Sequence, residues 1–127
     1  MDSLMDILTR GESRYIEFKR EYTRSMMRTV SAFANFHDGR ILVGVDDAGK
    51  PVGLRNPGEV RLQIENAIHD HLEPVPSFWI EAALQDEGTI LVLHVLKGES
   101  TPYYCQGRAY VRSDTATVPA DARSEER

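Results

Sequence analysis

Apolar positions along the chain alternate between helical and strand spacing. Leu4, Ile7 and Leu8 share one side of a short helix from Ser3 to Thr9, with Ser3 as its cap and Gly11 as its stop. From Tyr15 to Arg20 the period becomes two: Ile16 and Phe18 face one way, Glu17 and Lys19 the other. Met26, Val30, Phe33 and Ala34 then fall at i, i+4, i+7 and i+8, the stripe of a second helix that Thr23 caps and that runs to Phe36. Ile41 to Val45 is apolar throughout, as suits a strand covered on both faces. Asp46 to Gly49 turns the chain, and Pro51 to Leu54 returns as a short partner strand. Pro57 opens a third helix to Leu72, with Val60, Ile64, Ala67, Ile68 and Leu72 as its core stripe; Pro74 and Pro76 close it. Phe78 to Leu84 alternates around Ile80, Ala82 and Leu84, Asp86-Glu87-Gly88 turns, and Ile90 to Val95 is a second strongly apolar strand. Tyr103 to Cys105 and Ala109 to Arg112 flank Gln106-Gly107, a hairpin signal. This order predicts an α+β domain, with about three helices packed on a mixed, mostly antiparallel sheet. After Ser113 the residues turn small, polar and charged, so the domain is placed at 1–115 and an exposed arm or linker at 116–127.

Composition narrows the class. The 127 residues are 41% hydrophobic and 28% charged, which is globular and not disordered. No apolar run approaches the ~18 residues of a membrane span, and no secretory signal opens the chain, so no membrane partner is expected. A lone Cys105 forms no internal disulfide or cysteine zinc cage and fits a reducing cytoplasm. The formal net charge of −5 argues against polyanions only in sum, because local placement decides binding. Arg10, Arg14, Lys19, Arg20, Arg24 and Arg28 crowd the first quarter, and Arg108 and Arg112 lie near the end.

Three patterns bear on chemistry. Gly44-Val45-Asp46-Asp47-Ala48-Gly49-Lys50 has the spacing of a phosphate loop, but Pro51 stands where a magnesium-binding hydroxyl is needed. Two aspartates would also repel phosphate, so a hairpin turn explains the segment and ATP use ranks last. Glu12 and Glu17 bracket the first strand and Asp47 follows the buried one. If those strands are neighbours, the three carboxylates can meet and hold magnesium or manganese, with Lys19 steadying a phosphate. The same residues also read as an exposed Glu17–Lys19 ion pair beside cap and turn residues. Finally, aromatics and arginines interleave in Tyr103-Tyr104 and Arg108-Ala109-Tyr110-Val111-Arg112, as in a phosphate-contacting or base-stacking hairpin or in one packed on a sheet.

Taken in order, several pieces carry a family likeness: Glu12-Ser13, Glu17-Phe18-Lys19, Val30-Ser31-Ala32-Phe33-Ala34-Asn35, and Gly39-Arg40-Ile41-Leu42-Val43-Gly44-Val45-Asp46-Asp47. Gly49, Val52-Gly53-Leu54, Pro74, Pro76, Pro102-Tyr103-Tyr104 and Tyr110-Val111-Arg112 complete the set. The ordered set resembles the Schlafen-type AlbA domain, a family assigned to DNA binding and once grouped as a divergent AAA domain. Asp38-Gly39 departs from its common Gly-Gly, which affects the turn before the buried strand.

The resemblance implies an AlbA-like sandwich at the start of a longer, transcriptional-regulator-like bacterial or archaeal protein, from which this chain would be a piece. The leading reading is a nucleic-acid-binding module, DNA or RNA, with Lys19, Arg20, Arg24 and Arg112 on the phosphate backbone. Animal relatives pair two lobes in a horseshoe, so a homodimer is a further expectation, which the mass in light scattering at high concentration decides. Some of those relatives cleave RNA. Their active carboxylates match Glu12, Glu17 and Asp47, so the enzymatic alternative is a Mg- or Mn-dependent endoribonuclease acting on structured RNA, with those three holding the metal and Lys19 steadying the scissile phosphate. A protein-interaction or oligomerisation module is the third option.

Overall fold

A computed structural model describes residues 3–120. Its first helix forms where the sequence supplies a cap. The Ser3 hydroxyl accepts the Asp6 N–H and the Asp6 carboxylate accepts the Ser3 N–H, a reciprocal box that opens α1 (Leu4–Arg10). Then follow β1 (Ile16–Lys19), α2 (Met26–Phe36), β2 (Gly39–Val43), α3 (Pro57–His71) and β3 (Leu72–Glu73). The chain continues through β4 (Phe78–Gln85), β5 (Gly88–Val95), β6 (Tyr104–Cys105), β7 (Arg108–Ser113) and β8 (Ala116–Pro119). Asn56 caps α3 through the Glu59 N–H, with Pro57 in the first turn, where its missing donor costs nothing.

The strands form two sheets. The first is mixed, in the order β1-β2-β5-β4: β1 runs parallel to β2, and the other pairs are antiparallel. The second, β3-β6-β7-β8, is antiparallel. The fold is α+β as expected, but the expected single sheet is divided in two.

Burial follows strand parity. Ile41 and Val43 of β2 and Leu91, Leu93 and Val95 of β5 join the α2 and α3 stripes in one core. Leu42, Ile90 and Val92 point to the other side, where Ile7 and Leu8 of α1 cover them together with Ile16 and Phe18. The unbroken apolar runs of β2 and β5 are therefore explained by helices on both faces. Helix α2 is shared, since it also packs on β7. Gly49 sits in the turn after the buried strand at φ 84, and a Cβ there would lie 2.4 Å from the Leu8 carbonyl oxygen. Only glycine fits between that turn and α1.

The sequence expectation fails at several points, each for a physical reason. Thr23 is not the α2 cap; Ser25 holds that position, without a side-chain cap bond. Pro51 to Leu54 is not a strand, because Gly53 at φ 78 turns the backbone between two single bridges, Val45 to Pro51 and Leu54 to Thr89. Leu84 is 82% exposed, since β4 is the edge strand and its far end leaves the helices behind. The segment from 116 is no arm: β8 pairs with β7 from Ser113↔Ala116 to Tyr110↔Pro119, so the boundary placed after 115 falls inside a hairpin. Its Thr117 and Val118 suit a strand once a partner is beside them. The remainder of the expected arm, 121–127, lies outside the described residues. Among the described residues no helix is long and apolar enough to cross a membrane.

Candidate functional site

Arg112 is the point at which the expected cationic face and the tertiary structure part. It lies on β7 with 5% of its surface exposed. Its guanidinium donates to Glu17 Oε1 at 2.8 Å and to the Thr117 hydroxyl at 3.1 Å. The same group donates to the carbonyls of Ser13 at 3.1 Å and Ile16 at 3.2 Å, and it lies 5.6 Å from the Phe33 ring centroid. A guanidinium has five donors; four bonds hold this one inside the protein, and its Nε has no partner. No donor is left facing a phosphate. Arg112 instead ties β7 to the start of β1, and the expected continuous face shrinks to the cations that remain outside.

The same pairing decides the carboxylates. Glu17 is 7% exposed, and one of its oxygens is spent on Arg112. Glu12 accepts the Phe18 N–H at 3.0 Å and so braces the strand entry. Asp47 is exposed on the turn after β2. Among the described residues no three His, Cys, Asp or Glu side chains lie together as a metal group. A Mg or Mn centre on Glu12, Glu17 and Asp47 does not fit: one ligand is neutralised by an arginine, one is a backbone acceptor and one faces solvent. Lys19 therefore has no metal-bound phosphate to steady there.

The segment with phosphate-loop spacing also closes on itself. Asp46 Oδ1 accepts the N–H groups of Ala48 and Lys50 at 3.0 and 2.9 Å, so two donors that could have met an anion are taken by the turn.

What remains is the exit of β1. Lys19 ends the strand opposite Val43, and its carbonyl accepts the N–H groups of Gly44 and Val45, which fixes the strand end against the exit of β2. Arg20 follows and lines a groove of about 800 Å³ with Arg55, Asn56 and Gln63. Two carboxylates border the groove, Glu21 and Glu59, and Glu59 is engaged by the Asn56 amide at 3.0 Å. Arg24 stands beside Tyr22, whose hydroxyl burial pushes up in pKa while the Arg24 charge pulls it back. Lys19, Arg20, Arg24 and Arg55 form no ion pair among the described residues. Arg55 was missed in the sequence reading; its only signal is its place just before the Asn56-Pro57 helix start. Cys105 is buried, and burial raises its thiol above the ordinary value against the pull of Arg28, so it stays a neutral core residue.

Solved structures with this architecture include the N-terminal domain of a RecG-related protein, a candidate ATP-dependent DNA helicase, from Nitrosomonas europaea. The two are 29% identical, with a TM-score of 0.71 over 91% of this chain and 92% of that one. The DIP2311 protein of Corynebacterium diphtheriae shares the fold at 16% identity and a TM-score of 0.66. That match spans 84% of this chain but 22% of the longer one. Residues 12–121 match the Schlafen AlbA_2 family from the loop before β1 past the end of β8, and the chain belongs to that family.

Proposed function

We propose that this chain is a nucleic-acid-binding module of a transcriptional-regulator-like protein working in the cytoplasm, and that it grips the phosphate backbone through Lys19, Arg20 and Arg24, with Arg55 added. The observation that supports this is a group of cations that no ion pair holds. The chain is acidic overall, at −5, yet Arg20 and Arg55 line one groove at the β1 exit, Lys19 and Arg24 lie within four positions of Arg20 in the chain, and none of the four forms an ion pair among the described residues. Cations that no protein acid neutralises are free to displace the counterions of a polyanion. The match to the N-terminal domain of a RecG-related protein points the same way.

Such contacts position a nucleic acid and do not read its sequence. The reading is tested by fluorescence anisotropy of labelled single- and double-stranded DNA and RNA across a salt series. Lys19→Glu and Arg20→Glu should each weaken binding to all sequences alike and lower the salt slope by about 1 per lost contact. Unchanged affinity of both variants for all four ligands would sink it. The nuclease alternative loses its support here, because Glu17 is committed to Arg112.

A further inference from the structure

Helix α1 covers only part of the outer face of the first sheet, and the uncovered part is aromatic. Strand register places Arg40, His94 and Trp79 side by side in one row across β2, β5 and β4. The Trp79 and His94 rings are stacked, 4.5 Å apart and 10° from parallel. Glu81, two positions further along β4 on the same face, bonds His94 Nε2 and fixes that ring from the side. Across a cavity of about 320 Å³ from this stack stands a second ring pair, Tyr15 and His37, at 4.2 Å. The Tyr15–His37 pair also borders an adjoining cavity of about 180 Å³, with Phe36 and Arg14 on its rim.

These rings are open to solvent where a folded core would hide them: Tyr15 is 42%, Trp79 48% and Phe36 53% exposed. The charges beside them are sorted. Asp38 is taken by the Lys97 N–H at 2.7 Å and Glu81 by His94. Arg14 and Arg40 have no such partner among the described residues. Flat apolar faces next to unpaired guanidiniums complement a ligand that is itself a flat ring next to a phosphate.

We infer that this surface binds unpaired nucleobases, with Trp79 and Tyr15 as stacking faces and Arg40 and Arg14 beside the adjoining phosphates. The inference takes its ligand class from the nucleic-acid reading above but uses a different surface. Lys19 shares the Glu17 face of β1, whereas the Arg40–His94–Trp79 row lies on the opposite face, with Ile16. A strand and a free nucleotide offer the same chemistry, and the test separates them.

Trp79 is the sole tryptophan of the chain, so its emission reports on this site and nowhere else. The full chain is titrated with an eight-residue oligothymidylate, with an abasic oligomer of equal length and with thymidine monophosphate, while anisotropy of a labelled oligothymidylate follows binding independently. Saturable quenching by oligothymidylate and not by the abasic oligomer is expected. Trp79→Leu should weaken oligothymidylate binding about tenfold with the salt slope unchanged. Quenching by the monophosphate as well would assign the site to free nucleotides along with strands. Unchanged emission together with wild-type affinity in Trp79→Leu overturns the inference and leaves the Lys19–Arg20 reading standing. Equal quenching by the abasic oligomer, or no quenching by any of the three ligands, also overturns it. Base-dependent quenching in wild type, with anisotropy of all four nucleic acids unchanged in Lys19→Glu and Arg20→Glu, overturns the backbone reading alone.

Discussion

Arg112→Ala lowers the unfolding free energy by about 3–5 kcal/mol, because it strands the buried Glu17 carboxylate without its partner. Arg112→Glu goes further and removes the folded state, since it sets two carboxylates against each other in the same buried space. An Arg112 on the phosphate backbone, as the sequence suggests, would instead give weaker nucleic-acid binding in a folded protein. The geometry overrules it, because the side chain holds Glu17, Thr117 and the carbonyls of Ser13 and Ile16 at 2.8–3.2 Å. Urea unfolding followed by circular dichroism separates the two accounts. A wild-type midpoint for Arg112→Ala, with nucleic-acid affinity lost, would mean that the guanidinium works at the surface. The double variant Glu17→Leu/Arg112→Met should recover much of the loss, because a well-packed apolar pair replaces two desolvated charges.

Asn35→Leu destabilises by about 3 kcal/mol, as it takes the side-chain partner from the Tyr103 N–H and the Tyr110 carbonyl at a cost of roughly 1–3 kcal/mol each. Near the end of α2, one amide side chain serves three backbone partners. Its Oδ1 accepts the Tyr103 N–H at 2.6 Å, and its Nδ2 donates to the Tyr103 and Tyr110 carbonyls at 3.0 and 3.2 Å. Ser31, one turn earlier, bonds the same two residues, donating to the Tyr103 carbonyl and accepting the Tyr110 N–H. The helix thus carries the polar fixture that seats the second sheet upon it. Asn35→Asp is the sharper probe: it keeps the acceptor for Tyr103 but turns an oxygen toward two carbonyls, so it should lose stability at neutral pH. A urea midpoint unchanged in both variants would show that the clamp carries no weight.

The helices were legible because their evidence is local. Ser3, Gly11, Pro57 and the apolar stripes of α2 and α3 act within a few residues of themselves, and all appear in the structure in those roles. The continuous run of β2 likewise announced a strand with both faces covered, and that of β5 a second strongly apolar strand. The first segment after 115 was misread because Thr117 and Val118 become a strand only with β7 alongside. The aromatic row went unnoticed for a similar reason. Trp79 and His94 are 15 positions apart, and only the β4–β5 register lays one ring on the other.

The candidate site shows the same division more sharply. That cations and carboxylates exist at 12, 17, 19, 20, 24, 47 and 112, and that the chain carries the pattern of a Schlafen AlbA domain, was settled by the residues alone. Which of those charges meets water was settled by the fold. Arg112 and Glu17 are 95 positions apart and become partners only when the fold brings β7 within hydrogen-bond reach of β1. A charged side chain carries no mark of inside or outside. Its fate rests on whether distant strands bring it a counter-charge and enough bond acceptors to replace its water.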